Sequence, residues 1–316
     1  MKYNLIYFDA NQLEDYFYNQ DYKDAYNKFL SQDDYGKSPY FVIFTGREKH
    51  NRLICLEIIE ELNYIVEVEK ESVNKIWVRG KNFDYKKYKN FNVINTQIVE
   101  QIADDKNKTY EYLKDLMPKS HIIHIENYND VFNDIYVDRQ DISKDTKLNY
   151  PYVIKPLDGL KGDGIIKVNN YNDIKTYFYN KDYEELFILQ EFIECVDYEP
   201  LDIKGVHDIR LIIVNSAIVG LAVRQPKKDG WLCNVAQGGS IKVYDTKDIP
   251  TESLLIFNDF KDEVIRKLPQ DFNEAIFSID FCNTKDGFKI FELNSYPGIR
   301  LEYKTYIEKV KKLLNN

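Results

Sequence analysis

Four histidines and four cysteines in 316 residues leave little material for a side-chain nucleophile or a soft-metal centre. The cysteines, Cys55, Cys195, Cys233 and Cys282, are scattered with no C-x-x-C pair, so they read as reduced thiols. No Ser-His-Asp or Cys-His arrangement stands out. No apolar run approaches the roughly 18 residues that a membrane span needs. The opening "MKYNLIYFDANQ" lacks the basic-then-apolar plan of a secretory signal and reads as the start of a cytoplasmic protein. A net charge of −9 lacks the basic footprint of a duplex-DNA binder, yet leaves room for a local basic cleft that takes a phosphate compound. Neither a nucleic acid nor a membrane is an expected partner.

What is present is the composition of a globular protein, 44% hydrophobic and 30% charged, long enough for two or three domains with a sizeable core. "DYKDAYNKFL" (21–30) carries apolar residues at helical spacing. "YFVIFTG" (40–46) reads as a strand ending at a glycine. "NRLICLEIIEEL" (51–62) repeats Ile54, Ile58 and Leu62 every four residues and reads as an amphipathic helix. "YIVEVEK" and "NKIWVRG" read as strands, giving a small open α/β domain that ends near residue 95. A largely helical stretch runs to Pro118, and a polar section to about residue 149. "YPYVIKPLDGLKGDGIIKV" (150–168) is strand, glycine-rich loop, strand. "LFILQEFI" (186–193) is a further strand. "HDIRLIIVNSAIVGLAVRQP" (207–226) reads as two strands turning at Asn215-Ser216. "FNEAIFSIDFCNTKDGFKIFELNSYPGI" reads as a hairpin with Asp286-Gly287 at its tip, and a Lys-rich helix closes the sequence.

That hairpin holds the most informative polar residues. Side chains alternate along a strand, so Glu292 and Asn294 share one face while Phe291 and Leu293 share the other. Asp280 and Glu292 each lie six residues from Asp286, which sets them about opposite one another. Two half-buried carboxylates across a ladder repel, so something positive belongs between them. Two carboxylates with a carboxamide form a hard-cation set suited to Mg²⁺. In "VIKPLDGLKGDGI", Lys155 lies on a strand, and Gly159, Gly162 and Gly164 free the backbone to approach phosphate oxygens. Asp208 and Arg210 share a strand face, Arg224 falls on the paired strand, and Asn234 precedes Gly238-Gly239. Lys106 opens a helix. Each group alone also has an ordinary structural reading: strand polars, a flexible hairpin, an ion pair, a solvated lysine.

In this order and at this spacing, "YVIKPLDGLKGDGI", "LQEFI", "HDIRLIIVN…NVAQGG" and "FSIDF…KIFELNSYPGI" resemble the ATP-grasp superfamily. The likeness is to glutathione-synthetase-like carboxylate–amine ligases, over about residues 92–300. The resemblance implies an α/β fold of two α+β lobes closing on ATP. A pre-grasp domain with substrate contacts would occupy 1–95, a central lobe 96–185 and a C-terminal lobe 186–316. It implies that Lys106 and Lys155 contact ATP phosphates along with Gly159, Gly162 and Gly164. Glu191, Phe192 and Ile193 would form the hinge at the adenine, with Gln190 just before it in the nucleotide set, Glu199 on the ribose, and Asp208 and Asn234 in the same set. Asp280, Glu292 and Asn294 would hold Mg²⁺, two ions that Mn²⁺ could replace, and Arg210 and Arg224 would serve the transferred phosphate.

The implied reaction joins a carboxylate to an amine through an acyl phosphate, releasing ADP and phosphate; catalysis would be positioning and charge neutralisation. His207 is the one histidine inside a motif, and a structural role is its simpler reading. Rival readings are an ATP-grasp small-molecule kinase, a regulatory ATP-binding module, and a peptide maturase acting on side-chain carboxylates. A homodimer is compatible with all of them.

Overall fold

The computed structural model describes residues 2–20, 23–24, 26–27, 40–59, 62–125, 150–157, 163–178, 185–235, 238–298 and 304–315. Three sheets follow one another along the chain. The first contains β1 (Tyr3–Tyr7), β2 (Tyr40–Lys49), β3 (Arg52–Ile59), β4 (Leu62–Glu69), β5 (Val73–Val78) and β6 (Asn92–Ile94), in the order β4-β3-β2-β1-β5-β6. β1 runs parallel to both β2 and β5, with helix α1 (Ala10–Tyr18) leading out of β1.

The segment 51–62 is not the amphipathic helix its four-residue repeat suggested. Arg52–Ile59 is β3, antiparallel to both β2 and β4. A four-residue spacing lies on one face of a strand as well as of a helix, so the repeat could not decide between them. The face that is buried belongs to Leu53 and Cys55, at 0% and 1% exposure, with Ile54 only half-buried. Part of "DYKDAYNKFL" lies outside the described residues; Lys23, Asp24, Tyr26 and Asn27 are helical.

Helices α2 (Gln97–Asp104) and α3 (Lys106–Leu113) lead into the second sheet. Asp105 breaks them apart: its extended backbone ends the first, and its carboxylate accepts from the amides of Asn107 and Lys108 to cap the second. The second sheet orders β7 (Ser120–Ile125), β10 (Glu185–Glu191), β8 (Tyr152–Pro156) and β9 (Ile166–Val168), with helix α4 (Tyr171–Phe178) between β9 and β10. The third sheet is β13-β12-β11-β14-β15, built from β11 (Asp208–Val214), β12 (Ala217–Gln225), β13 (Ser240–Asp245), β14 (Ile276–Thr284) and β15 (Gly287–Asn294). Helix α5 (Thr251–Lys267) packs on this sheet, and α6 (Lys304–Asn315) closes the chain. Asn215 and Ser216 form the β11–β12 turn, both with positive φ (49° and 61°), the twist that a two-residue hairpin needs.

Alternation along β11 and β14 decides where the site lies. Ile209, Leu211, Ile213, Phe277, Ile279 and Phe281 face α5 and its Phe257, Phe260 and Val264. On the opposite face, Ile212, Val214 and Ile276 join a core with Ile6, Phe8, Phe41 and Trp77 of the first sheet and with Tyr306 and Val310 of α6. The same face carries Asp208, Arg210 and Asp280 farther along. One half is therefore sealed under the first sheet and the other half is charged. The second sheet has its own core, around Ile154, Val168, Phe178 and Phe187.

Polar locks reinforce the union of the first and third sheets. Lys75 donates to the carbonyl of Leu313 (2.7 Å), a cation at the C-terminal end of α6. Asn95 is 2% exposed. Its carboxamide donates to Ile276 O (2.8 Å) and Ser295 O (2.7 Å) and accepts from Ile276 N (2.8 Å), and its φ is 61°. Asn95→Ala removes three buried hydrogen bonds and puts a Cβ without polar compensation in a left-handed backbone. It is expected to cost at least about 3 kcal/mol in urea unfolding followed by tryptophan fluorescence. A loss below about 1 kcal/mol would show that this junction contributes little.

Candidate active site

Asp280 is 1% exposed and accepts from two guanidiniums. Arg210 reaches it through Nε (2.7 Å to Oδ1) and Nη2 (2.5 Å to Oδ2), and Arg224 through Nη2 (2.6 Å to Oδ2). The ladder makes this possible, because Arg210 pairs with Asp280 across β11–β14 and Asp208 pairs with Arg224 across β11–β12. Arg224 also donates to Asp208. Glu292 faces Asp280 on β15, and its Oε1 lies 3.7 Å from Arg210 Nη2.

Burial alone would raise Asp280, but Arg210 and Arg224 outweigh it and hold the carboxyl well below its usual range. Asp208 goes the other way: burial pushes it up to about 7 against the pull of Arg224, with Asp280 adding to the rise. Glu292 is also raised, by burial and then by Asp280. When all three carboxyls are ionised they exceed the two guanidiniums by one negative charge, an excess that the raised Asp208 and Glu292 reflect.

Asp280 and Glu292 stand opposite as the sequence suggested, by a different route. The ladder starts with Thr284 opposite Gly287, so Lys285 and Asp286 form the tip in place of Asp286-Gly287. Phe291 is then an extra residue in β15, and this bulge returns Glu292 to Asp280. The bulge also moves Phe291. It does not share the face of Leu293, which is buried in the α5 core, but lines the cleft below Lys155, whose Nζ stands 5.7 Å from the ring centroid.

That cleft, about 230 Å³, lies between the second and third sheets. Lys106, Lys155 and Gln190 line it with Tyr110, Met117 and Phe291. Lys155 finds a neutral partner: its Nζ donates to Gln190 Oε1 at 2.6 Å, and Gln190 Nε2 donates to Ser120 Oγ at 2.9 Å. Burial pushes the Lys155 ammonium down to about 8, against the pull of Glu292 and with the push of Lys106. Lys106 donates to Leu157 O at 2.9 Å, at the start of the glycine-rich loop. Gly164 takes a φ of 68°, and Tyr177 donates to its carbonyl; Gly159 and Gly162 lie outside the described residues. Gln190, 4% exposed, was noted in the sequence only as the residue before the hinge; the contact with Lys155 gives it a holding role. Ser120, Tyr110 and Met117 had no signal in the pattern at all, and alternation had assigned Phe291 to the face of Leu293.

The remaining candidates are spread along the rim. Glu191 ends β10, its amide donating to Lys119 O (2.8 Å). Phe192 packs edge-on to Trp231 (6.0 Å) under the Lys167 ammonium, 3.6 Å from its centroid, and Ile193 follows half-buried. Glu199 is exposed and pairs with Lys204 (3.2 Å); none of its described contacts reaches the acid–arginine cluster. Asn234 is half-buried, and its carbonyl accepts from Gly239 N at 3.3 Å. A Cβ on Gly239 would meet Cys233 O and Gln225 O at 2.8 Å, which explains the glycine. His207 is buried: Nδ1 donates to Gly205 O (2.8 Å) and Nε2 accepts from Asn283 N (3.2 Å), so both ring nitrogens serve the fold.

The donor set suits a hard divalent cation. Among the described residues no three His, Cys, Asp or Glu side chains are grouped to hold a metal, so a cation at Asp280 and Glu292 would need a further oxygen, which the carboxamide of Asn294 could supply. Glu292 is 40% exposed at its side chain, and Asn294 Oδ1 accepts one hydrogen bond, from Tyr296 N (2.7 Å), keeping a lone pair. The surplus negative charge favours a cation here. Asp280 would have to share itself between that cation and its arginines.

Solved structures carry this architecture. The D-Ala:D-Ser ligase VanG of Enterococcus faecalis matches 99% of the chain over 97% of its own, with a TM-score of 0.62 and 12% identity. A RimK domain protein from Sphaerobacter thermophilus matches 100% over 98%, with a TM-score of 0.57 and 11% identity. At such identities the likeness defines the fold, which is ATP-grasp. The family is narrower: residues 103–316 match the RimK-like ATP-grasp domain, and the chain belongs to that family. A probable alpha-L-glutamate ligase of Legionella pneumophila is 27% identical over 166 residues, 52% of this chain and 49% of that protein. The chain thus spans about half the length of the curated relatives it matches. None of its described helices is long and apolar enough to cross a membrane.

Asp280→Ala would leave two buried guanidiniums facing only Asp208 and Glu292. In the ligand-free protein it is expected to lower stability by about 3–5 kcal/mol in denaturant unfolding. An unchanged midpoint would mean that the arginines repair the loss locally.

Proposed function

We propose that the chain is an ATP-dependent, ADP-forming carboxylate–amine ligase. The observation that carries this reading is the face on which Arg210, Arg224, Asp280 and Glu292 meet, opposite a lysine-lined cleft. Lys106, Lys155 and Gly164, with Gly159 and Gly162, would receive the triphosphate. The segment Glu191–Ile193 would take the adenine edge, with Glu199 and Asn234 as further nucleotide contacts; Gln190 would act through Lys155 and Asp208 through Arg224. Asp280, Glu292 and Asn294 would hold Mg²⁺, which would neutralise phosphate charge when bound.

The chain's own work is positioning. A substrate carboxylate attacks the γ-phosphate to form an acyl phosphate and ADP; an amine then displaces phosphate. Charge builds on phosphoryl and carbonyl oxygens, and planar guanidinium forks suit both. His207 is committed at both nitrogens, so it would serve the fold and not the chemistry, as positioning catalysis allows. The Legionella relative is by name a probable alpha-L-glutamate ligase, so an amino acid's α-amine is the first amine to test.

The deciding experiment incubates the protein with Mg-ATP, a panel of carboxylates, and either amino acids or hydroxylamine. One phosphate per ADP should appear only with both substrates, and hydroxylamine should yield a hydroxamate. Arg210→Lys should suppress the hydroxamate far more than nucleotide binding. ADP formed with phosphate retained on a hydroxyl product, and no hydroxamate, would replace the ligase by a kinase.

The low pKa of Lys155 adds a pH test. In the free protein its ammonium loses its proton near pH 8, whereas a bound triphosphate would keep it charged. Below about 8 binding needs no proton. Above it one must be taken up, so ATP affinity should fall with rising pH, by at most about tenfold per unit. Lys155→Arg, always charged, should flatten the profile. An equal fall in both proteins would remove Lys155 from the phosphate site.

A further inference from the structure

Asp280 serves two arginines and is also the central acid of the candidate cation set, and the two roles compete. A cation drawing on Asp280 and Glu292 takes both acids that Arg210 uses, at 2.5–2.7 Å and 3.7 Å. It takes only one of the two that Arg224 uses, because Arg224 Nη2 is shared between Asp280 and Asp208. Asp208 stands directly opposite Arg224 in the ladder and is outside the donor set. Two further atoms are informative. Asp208 Oδ1 and Arg224 Nε are both buried without a hydrogen-bond partner. One is an acceptor and the other a donor, on facing residues that already share one contact. Paired with each other, they would make the second hydrogen bond that turns a single contact into a bidentate fork. While Asp280 holds Arg224 Nη2 as well, that fork is left open.

We infer that Asp208 is a positioning residue that retains Arg224 when Asp280 turns to a cation, so that Arg210 alone is released toward the reacting phosphate. The inference rests on the cation site proposed above. Exposure is in keeping with it: the Arg210 side chain is 19% exposed and that of Arg224 10%. Arg224 closes onto Asp208 and satisfies both orphaned atoms. The third acid of the cluster thus keeps one guanidinium fixed while the other changes partner.

The test uses the full chain, Mn²⁺ without nucleotide, and two readouts. Binding is followed by loss of the free-ion EPR signal, and arginine accessibility by phenylglyoxal adducts mapped by peptide mass spectrometry. In the wild type, saturating Mn²⁺ should raise labelling at Arg210 several-fold and leave Arg224 protected. In Asp208→Asn, Mn²⁺ should expose both arginines. With Mg-ATP and substrates, kcat of that variant should fall by about tenfold or more while KM for ATP moves less than about threefold. Asp208→Glu, which keeps a carboxylate, should restore protection of Arg224. If Asp208→Asn does not fold, the contrast between Arg210 and Arg224 in the wild type and in Asp208→Glu decides. Mn²⁺ binding that exposes Arg224 along with Arg210 in the wild type overturns the inference, as does protection of Arg224 in Asp208→Asn. Failure of the wild type to bind Mn²⁺ removes the cation site and the inference with it.

Discussion

A carboxylate almost closed to water, held by two arginines on neighbouring strands, is the constraint around which the C-terminal half is arranged. Asp280 could not stay ionised on an ordinary strand at 1% exposure; desolvation would protonate it or unfold its surroundings. Arg210 and Arg224 reverse that balance, and each can do so only from its own rung of the ladder. A one-residue slip of β11 would send Arg210 into the α5 core and bring Ile209 or Leu211 to Asp280. The charged cluster therefore fixes the register, and the apolar residues on the opposite face fix it again.

The same alternation divides the molecule mechanically. Apolar positions at the far end of β11 and β14 share a core with the first sheet and α6, and Asn95, Lys75 and Arg79 add polar ties, Arg79 reaching Pro297 O at 2.8 Å. Among the described residues the second sheet has a core of its own, separate from these. Lys155 and Gln190 therefore sit on one packing unit, and the acids and arginines on another. The cleft lies where two cores meet without merging, the place where a hinge costs least.

How much of this was legible depended on which physical rule governed each stretch. The charged strands were readable because a polar residue at every second position inside an apolar run has few explanations. The Asp280–Glu292 pairing came out right although the turn sits one residue earlier, since the bulge at Phe291 restored the register. No sequence rule announces a bulge, so Phe291 was assigned to the wrong face. Residues 51–62 failed because a four-residue repeat satisfies strand and helix alike, and sheet partners at distant positions made the choice. Gln190 as the partner of Lys155 depends on a diagonal across β8 and β10, a relation that exists only once the strands are paired.

The charges across the cleft have an order that no single residue explains. The second sheet presents lysines: Lys155, with its proton weakly held, and Lys106 from the helix beside it. The third sheet presents a surplus of carboxylate, its arginines already engaged. If the two faces simply met, Lys155 would approach Glu292 and the site would neutralise itself, a contact already felt as the upward pull of Glu292 on Lys155. A polyanion with divalent cations has the complementary order: phosphate toward the lysines, cations toward the acids. On the proposed function, such a ligand would replace one weak attraction across the gap by two layers of close ones. A bare phosphate compound would face the acids unscreened, and a bare cation would face the lysines. The alternation of charge would then favour the two arriving together, through the placement of Asp280 and Glu292 on one sheet and Lys155 on the other.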